Sequence, residues 1–313
     1  CQSGGIPGIA ILMGTAQGVG FSKIASLGNG SDLSAEDFLE YFAADPETGI
    51  IAMYLEGTRD GRRLFRLAQE ASSIKPVIVY KGGRTNAGAR VAASHTAALS
   101  GSDIIWTAML KQANAIQVDS FEELVDTALA FQDLTDFRGG GVAVVTGLVG
   151  GGGGICVTSS DICLAQGLNV LPFTDNTNAQ LKAILRPVGA IIGNPLDVGF
   201  IGSNLELLTK MLELVAADPS VSIMVVIEIL GQLIRGLPIE GIQEINDAIA
   251  NFKESQEKPL VVVSLSDGVA DAQRLVAEKG FSQAKIPVYP TISRAARAIG
   301  NMVGYWKVRT EIS

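Results

Sequence analysis

The sequence contains little histidine, cysteine or positive charge. Its 313 residues include one His, three Cys, and 24 Lys and Arg against 32 Asp and Glu, a net charge of −8. A single histidine excludes a His-rich metal site, and the acidic balance offers no basic surface for nucleic acid. The cysteines are spaced neither for zinc nor for a disulfide framework. We therefore expect no metal site, no nucleic-acid partner and a reducing, cytoplasmic location.

Long hydrophobic runs are also absent, although 47% of the residues are hydrophobic. A membrane-spanning helix needs roughly 18–20 consecutive apolar residues, whereas the best run, residues 223–230, is short and interrupted by Glu228. The sequence therefore predicts no membrane partner, and its apolar content excludes a disordered chain. At roughly 100–200 residues per domain, the length suggests two domains.

Short apolar runs alternate with longer amphipathic stretches, which is typical of βαβ units around parallel sheets. The predicted strands are residues 21–26, 50–54, 77–80, 142–146, 223–229 and 260–264. The predicted helices include residues 33–44, with Ser34 as the cap, and residues 121–134. Glycines after Arg138 separate the second of these helices from a new strand. This break predicts one α/β domain at residues 1–137 and another at residues 138–313.

Short motifs occur once in each half of the chain. Residues 28–32 match residues 193–197; Asp45-Pro46, a strand and Glu56 match Asp218-Pro219, a strand and Glu228; Lys75-Pro76 matches Lys258-Pro259. The halves are therefore predicted to be copies of one α/β unit. The first half has about 13 additional residues after its Lys-Pro strand, and this additional segment includes or adjoins His95.

The two halves also begin differently. The second half has a strand, residues 142–146, before its glycine-rich turn, whereas the first half opens directly on Cys1-Gln2-Ser3-Gly4-Gly5. We therefore expect a β-strand upstream of Cys1. The chain is then part of a longer polypeptide with at least one more domain before it.

Two glycine-rich turns lead into predicted helices and are candidate phosphate sites. The candidate residues are Ser3, Gly4 and Gly5 in the first turn and Gly151, Gly152 and Gly153 in the second. Glycines let backbone N–H groups converge, and a helix N-terminus carries about half a positive charge. Neither turn has the lysine of a nucleotide-binding P-loop. For each turn taken alone, a purely structural βα turn is an equally good interpretation.

The only histidine, His95, lies among small residues in a segment expected to be an exposed loop, with a helix beginning near Ser102. Such loops carry function more often than packing, and imidazole can attack phosphorus when an acceptor fixes its tautomer. Glu56, at the end of a predicted strand, is the candidate acceptor, and a helix cap is the alternative role. Lys81 and Arg84 follow the next strand, where they either neutralise phosphate or are solvated.

A set of motifs spread along nearly the whole chain points to one family. The motifs are Gln2-Ser3-Gly4-Gly5, Tyr54-Leu55-Glu56-Gly57, Lys75-Pro76-Val77-Ile78-Val79, Ala93-Ser94-His95-Thr96 with Leu99-Ser100-Gly101-Ser102-Asp103, and Gly193-Asn194-Pro195-Leu196-Asp197. Together they resemble the NDP-forming acyl-CoA synthetases and the related succinyl-CoA synthetases. The resemblance implies an α/β fold with two duplicated flavodoxin-like domains of succinyl-CoA synthetase type. It also implies an enzyme that interconverts acyl-CoA, NDP and phosphate with free acid, CoA and NTP.

The resemblance further implies roles for the candidate residues. His95 corresponds to the family's phosphate-carrying histidine on a mobile loop, and Glu56 to the carboxylate that orients it. The two glycine-rich turns correspond to helix N-termini that hold phosphate between them. No tightly bound cofactor is implied, because CoA, ADP or ATP and Mg²⁺ are substrates of a CoA-binding domain and an ATP-grasp domain that this chain lacks. A homo- or hetero-oligomer is expected.

Two other functions stay compatible with the sequence. One is a catalytically degenerate ligase core that senses CoA thioesters or regulates a fused enzyme, and the other is a plain phosphate-binding scaffold. The presence of both His95 and Glu56 favours the enzyme, because a sensor has no need of a nucleophile. The acyl substrate and the choice between ADP and GDP are not indicated by any motif.

Overall fold

The computed structural model describes residues 1–28, 30–96, 101–134, 139–185, 189–201, 204–265 and 278–312, with the backbone alone at residues 93–96, 279 and 311–312. The chain divides into two compact units, Cys1–Gln132 with Gly304–Ser313, and Asp133–Val303. Arg138, at the expected domain boundary, lies outside the described residues. Within those residues, no helix has both the length and the apolar character of a membrane span.

Unit 1 is built around a three-stranded parallel sheet. Its elements are α1 (Ile6–Ala16), α2 (Ala35–Ala44), β1 (Ile51–Leu55), α3 (Gly61–Ile74), β2 (Val77–Lys81), α4 (Asn86–Thr96), α5 (Asp103–Gln112), β3 (Ile116–Val118) and α6 (Phe121–Asp133). The strand order is β1-β2-β3, and Ile51 pairs with Val77. Buried side chains of α2, α3 and α5 form one core with β1 and β2.

Unit 2 is built around a five-stranded parallel sheet. Its elements are β4 (Val142–Thr146), α7 (Gly153–Ala165), α8 (Asp175–Ile184), β5 (Leu196–Asp197), α9 (Leu205–Ala217), β6 (Ile223–Ile229), α10 (Leu230–Gly236), α11 (Ile239–Glu254), β7 (Leu260–Leu265), α12 (Lys279–Gln283), β8 (Val288–Tyr289) and α13 (Ile292–Ile312), whose last residues group with unit 1. The strand order β5-β4-β6-β7-β8 is the 2-1-3-4-5 order of flavodoxin-like sheets. The prediction of an α/β fold with parallel sheets is confirmed.

Most predicted strands match the structure, and one is wrong. The strands predicted at residues 142–146 and 223–229 coincide with β4 and β6, because continuous apolar runs mark strands that are covered on both faces. The strand predicted at residues 21–26 is absent. Two backbone hydrogen bonds join this region to Cys1, from Cys1 N to Ala25 O at 3.0 Å and from Leu27 N to Cys1 O at 2.9 Å, which are too few for a strand ladder.

The Asp-Pro and Lys-Pro motifs make the same contact in both units. Lys75 Nζ donates to the carbonyl oxygen of Asp45 at 2.8 Å, and Lys258 Nζ donates to the carbonyl oxygen of Asp218 at 2.8 Å. In each unit this bond ties the end of a helix, α2 or α9, to the segment that leads into the next strand, β2 or β7. These repeated residues are therefore structural.

The repeat does not pair the two glutamates. We align β1 and β6 at the residues that pair with the first residues of β2 and β7. In this alignment Glu56 corresponds to Ile229, and Glu228 corresponds to Leu55. The predicted match of Glu56 with Glu228 is therefore wrong by one residue. Because side chains alternate along a strand, a shift of one residue places them on opposite faces of the sheet.

The two Gly-Asn motifs are not counterparts either. Asn194 lies before β5, where its side-chain oxygen accepts from Val144 N at 3.0 Å and its amide donates to Val142 O at 2.7 Å. In unit 1 the N–H of Leu27 donates to Cys1 O, and in unit 2 the N–H of Val198, the residue after β5, donates to Thr146 O in the same way. Gly28 comes after Leu27. The Gly-Asn motif therefore comes before this hydrogen-bonded segment in unit 2 and after it in unit 1.

Candidate functional site

Glu56 follows the last residue of β1, and its peptide groups are held from two sides. The side-chain oxygen of Gln2 accepts from the backbone N–H of Glu56 at 2.5 Å and from that of Gly57 at 3.0 Å. On the other side, Lys81 Nζ donates to the carbonyl oxygen of Glu56 at 2.8 Å. The carboxyl ends of parallel strands line the crevice where ligands bind, so the fold places Glu56 at such an edge on a fixed backbone.

One oxygen of the Glu56 carboxylate, Oε1, is hydrogen-bonded. The other, Oε2, has no hydrogen-bond partner among the described residues, and we call it the open oxygen. The Tyr54 hydroxyl donates to Oε1 at 3.1 Å, and the Tyr54 ring packs against Tyr80 and Phe121 with centroid distances of 5.4 and 5.5 Å. Burial, followed by the charge of Glu56, raises the pKa of Tyr54, so its hydroxyl keeps the proton that it donates. Oε2 is buried. Buried polar atoms are nearly always paired, so an unpaired one needs an explanation, and a partner outside the described residues is one.

Lys81 is the last residue of β2 and is 1% exposed. Its ammonium donates to the carbonyl oxygens of Glu56 and Gly82 and lies 5.1 Å from the centroid of the Trp106 ring. Burial lowers the pKa of Lys81 to about 8, although the charges of Asp103 and Glu56 act in the opposite direction. Lys81 is therefore a buried cation, and the alternative of a solvated residue is wrong.

Arg84 is bound to two carboxylates. Its Nε donates to Asp103 Oδ1 at 2.7 Å, and its Nη1 donates to Asp119. These bonds join the loop after β2 to the start of α5 and to the loop after β3. The two cations singled out by the sequence thus bind protein groups, which are carbonyls for Lys81 and carboxylates for Arg84.

His95 lies on α4, and the expectation of a loop at this residue is wrong. The segment is rich in alanine, and its high helix propensity outweighs the small residues and glycine that suggested a loop. The helix predicted near Ser102 is confirmed, with Ser102 as the N-cap of α5. The His95 side chain and residues 97–100 lie outside the described residues, so a contact between His95 and Glu56 stays a prediction.

The first glycine-rich turn is open. Gly5 is the N-cap of α1, and no side chain caps the N–H groups that follow. A Cβ atom placed on Gly4 or on Gly5 meets no other atom within 4 Å. Ser3 is tied into the turn through its carbonyl oxygen, which accepts from Ser26 Oγ at 3.3 Å. Uncapped N–H groups at the start of a helix are suited to an anion.

The second turn is crowded by a carboxylate. Gly151 has a φ of 74°, Gly152 is the N-cap of α7, and Gly153 is the first helical residue. A Cβ on Gly152 would lie 2.7 Å from the side chain of Asp197, which is 4% exposed. The start of α7 therefore already has a negative group beside it. Sequence reasoning named Asp197 only as part of a motif and not as a neighbour of this turn, because Asp197 ends β5, far from the turn along the chain.

Gln2, Tyr54 and Lys81 are residues whose contacts with Glu56 sequence reasoning missed. Tyr54 is two residues before Glu56, a spacing that places side chains on one face of a strand, and this spacing is a signal that could have found it. Lys81 needed the β1-β2 register, which only the structure gives. Among the described residues, no three His, Cys, Asp or Glu side chains are grouped so that they could hold a metal ion.

This site lies in a recognisable domain. Residues 1–131 match the family described as succinyl-CoA ligase like flavodoxin domain. Residues 1–131 are therefore a flavodoxin-like domain of the succinyl-CoA ligase type, as the motifs of this half indicated.

Particular relatives match most of the chain. It is 30% identical to the alpha subunit of acetate–CoA ligase [ADP-forming] I of Pyrococcus furiosus, over 98% of this chain and 64% of that subunit. It is 36% identical to acetate–CoA ligase [ADP-forming] I of Archaeoglobus fulgidus, over 72% of this chain and 32% of the relative. The solved structure of dinucleotide-forming acetyl-coenzyme A synthetase 1 from Ca. Korarchaeum cryptofilum, in complex with phosphate and ADP, superposes with a TM-score of 0.83 and 30% identity, over 99% of this chain and 64% of that one. The chain thus spans less than two thirds of each of these relatives.

Proposed function

We propose that this chain is the phosphohistidine-bearing core of an NDP-forming acid–CoA ligase. The complete reaction converts acyl-CoA, phosphate and NDP into free acid, CoA and NTP, and it runs in both directions. Phosphate displaces CoA from the acyl group, a histidine nitrogen takes the phosphoryl group from the acyl phosphate as the acid leaves, and NDP takes it from the histidine. Relatives named as ADP-forming acetate–CoA ligases support this proposal.

The observation that carries the proposal is the open oxygen of Glu56. The backbone N–H, the carbonyl oxygen and Oε1 of Glu56 are all hydrogen-bonded, which leaves Oε2. An imidazole can attack phosphorus through one nitrogen when the other holds the proton, and a carboxylate that accepts from this N–H fixes the tautomer and raises the basicity. We assign His95 as the phosphate carrier and Glu56 as the acceptor of its N–H.

The glycine-rich turns are the proposed phosphate contacts. Ser3, Gly4 and Gly5 lead into an uncapped helix start with free space around it, whereas Gly151, Gly152 and Gly153 are next to the carboxylate of Asp197. A negative group opposes the binding of a phosphate dianion. Of the two turns, we propose the first as the stronger contact.

The other parts of the reaction need other domains. We propose that a CoA-binding domain, and an ATP-grasp domain that binds ADP or ATP with Mg²⁺, act with this chain in the cytoplasm, either fused to it or as subunits of a homo- or hetero-oligomer. The lengths of the relatives support this, since the chain spans 64% of one alpha subunit and 60% of another. All three cysteines are free, which is compatible with a reducing compartment.

The test is to label the complete enzyme with γ-³²P-labelled ATP and Mg²⁺. We expect an acid-labile, base-stable label on His95, none in His95→Asn, and slower labelling in Glu56→Gln by about 10–100-fold, as is typical when the carboxylate behind a functional histidine is removed. Wild-type labelling of His95→Asn would contradict the proposal. A wild-type enzyme that takes no label but binds acyl-CoA would favour the sensing module.

A further inference from the structure

Lys81 occupies a position where the same sheet can be built without a cation. The register of the two sheets matches Lys81 with Ser264 of unit 2, the residue that pairs with Glu228 as Lys81 pairs with Leu55. Burying an ammonium removes its hydration and costs folding free energy unless partners offset the loss. Among the described residues, the ion pairs do not include Lys81. The fold alone therefore does not explain why a lysine stands here.

The contacts of Lys81 converge on Glu56. Its ammonium joins the ends of two neighbouring strands by donating to the carbonyl oxygens of Glu56, after β1, and Gly82, after β2. The face of Trp106, on α5, lies 5.1 Å from Nζ, a distance at which an aromatic ring attracts a cation. The ammonium thus holds the peptide from which the Glu56 side chain projects.

The charge of Lys81 also acts on Glu56. Lys81 and Glu56 interact electrostatically, and the other charged groups that act on Lys81 are Asp103 at the start of α5 and Arg84 after β2. Arg84 is committed to carboxylates, whereas Lys81 is bound to neutral carbonyls. Among the described residues, the other titratable group that bonds to the Glu56 carboxylate is the Tyr54 hydroxyl, which keeps its proton.

We propose that Lys81 is a positioning residue for the phosphorylation of His95: its ammonium fixes the peptide from which the Glu56 side chain projects, and so holds the carboxylate where it accepts the N–H of the histidine. This proposal rests on the proposed role of Glu56. Because burial lowers the pKa of Lys81 to about 8, the charge is present at neutral pH and is lost in mildly alkaline solution.

The test uses phosphoramidate, which phosphorylates histidine without a partner subunit. Its P–N bond breaks, a nitrogen of His95 takes the phosphoryl group, and ammonia leaves. The rate is measured from pH 5 to 10 on the complete enzyme and is divided by the rate for free imidazole. We expect Lys81→Met to be at least about tenfold slower at pH 7 and to lose the decline above pH 8 that deprotonation of Lys81 causes in the wild type. We expect Lys81→Arg, which stays charged throughout, to restore the rate and to lose the decline above pH 8.

Lys75→Met is the matched control. Lys75 also donates to two backbone carbonyls, those of Phe42 and Asp45, but it precedes β2, whereas Lys81 ends it. We expect Lys75→Met to lower the stability of the chain and to leave the pH profile unchanged. If Lys81→Met does not fold, Lys81→Gln replaces it, since glutamine can still donate to a carbonyl but carries no charge.

The outcomes separate the two proposals. A folded Lys81→Met or Lys81→Gln variant with the wild-type rate and the wild-type decline above pH 8 overturns the role of Lys81, and so does an equal loss of rate in Lys75→Met. If His95→Asn takes up phosphoryl groups as the wild type does, the proposed function fails instead, whatever Lys81 does.

Discussion

The two units share a contact at the amino ends of their strands and differ at the carboxyl ends. In both, a Lys-Pro lysine binds the carbonyl oxygen of an Asp-Pro aspartate. At the other end, unit 1 has a glutamate with an open oxygen beside a buried lysine, whereas the matching positions of unit 2 are Ile229 and Ser264. The two units therefore keep the contact between the lysine and the carbonyl oxygen and differ at the edge where the candidate site lies.

The largest expected effect on stability is at the side chain of Asp218, the residue whose carbonyl oxygen binds Lys258. The Asp218 carboxylate is fully buried and accepts from the N–H and hydroxyl of both Thr174 and Ser220. Burial alone would raise the pKa of Asp218, but these bonds lower it overall. We expect Asp218→Ala to lower the free energy of unfolding at pH 7 by about 3 kcal/mol in urea titrations, with Asp45→Ala the milder control.

This loss has a predictable pH dependence. Because the pKa of Asp218 is lower in the folded state than in the unfolded state, the carboxylate stabilises the fold above the unfolded value and stops doing so as the pH falls. The difference between wild type and Asp218→Ala should therefore shrink below about pH 4. A difference that does not change with pH would show that the hydrogen bonds to the ionised carboxylate are not its source.

The next effect separates the two glycine-rich turns. A Cβ on Gly152 would lie 2.7 Å from the side chains of Asp197 and Thr146, whereas a Cβ on Gly5 meets nothing within 4 Å. We expect Gly152→Ala to lower the free energy of unfolding by about 2 kcal/mol and Gly5→Ala to change it by less than about 0.5 kcal/mol. Equal losses in thermal or urea unfolding would mean that the turns are packed alike.

A stabilising substitution is expected at Glu228. This side chain is 2% exposed, and its Oε1 has no partner among the described residues. Burial, with a smaller contribution from Glu278, raises the pKa of Glu228 to about 8. The unfolded chain therefore loses this proton first, and stability falls as the pH rises from about 4.5 to about 8.

Glu228→Leu copies Leu55, the matching residue of unit 1. We expect the variant to be more stable than the wild type at pH 7.5 by about 1 kcal/mol or more, and the gain to disappear near pH 4. Glu228→Gln, which has the same shape and does not titrate, is the control for the pH dependence. A gain that is the same at both pH values would rule out titration of Glu228 as its cause.

The smallest effect on stability is expected from Tyr54→Phe, which removes only the hydroxyl bound to Glu56 Oε1. We expect a loss of about 1 kcal/mol in the free energy of unfolding, together with slower phosphorylation of His95, because the carboxylate is freer to rotate. Tyr80→Phe, on the neighbouring strand, is the control. If both variants phosphorylate like the wild type, the Tyr54 hydroxyl does not position Glu56.

Sequence patterns predicted what depends on local chemistry. β4 and β6 have the predicted ends because each is a continuous apolar run. Ser34 was predicted as a cap, and it forms a capping box with Asp37. The Lys-Pro match placed two real counterparts, which make the same contact in each unit.

The wrong predictions concern properties that the neighbouring residues in the sequence do not determine. Glu56 and Glu228 look alike in sequence, but strand register separates them by one residue and therefore by one face. The buried state of Lys81 follows from α5, which supplies Trp106 from later in the chain. The small residues around His95 suggested a loop, but the segment is a helix, because alanine has a high helix propensity.

We propose that Glu56 Oε2, and not the carboxyl group of Glu228, accepts the N–H of His95. The direct measurement is the rate of ³²P uptake on His95 by the complete enzyme, compared between Glu56→Gln and Glu228→Gln. The account predicts a loss of about 10–100-fold for Glu56→Gln and less than about twofold for Glu228→Gln. Equal rates in the two variants, or a larger loss in Glu228→Gln, would contradict it.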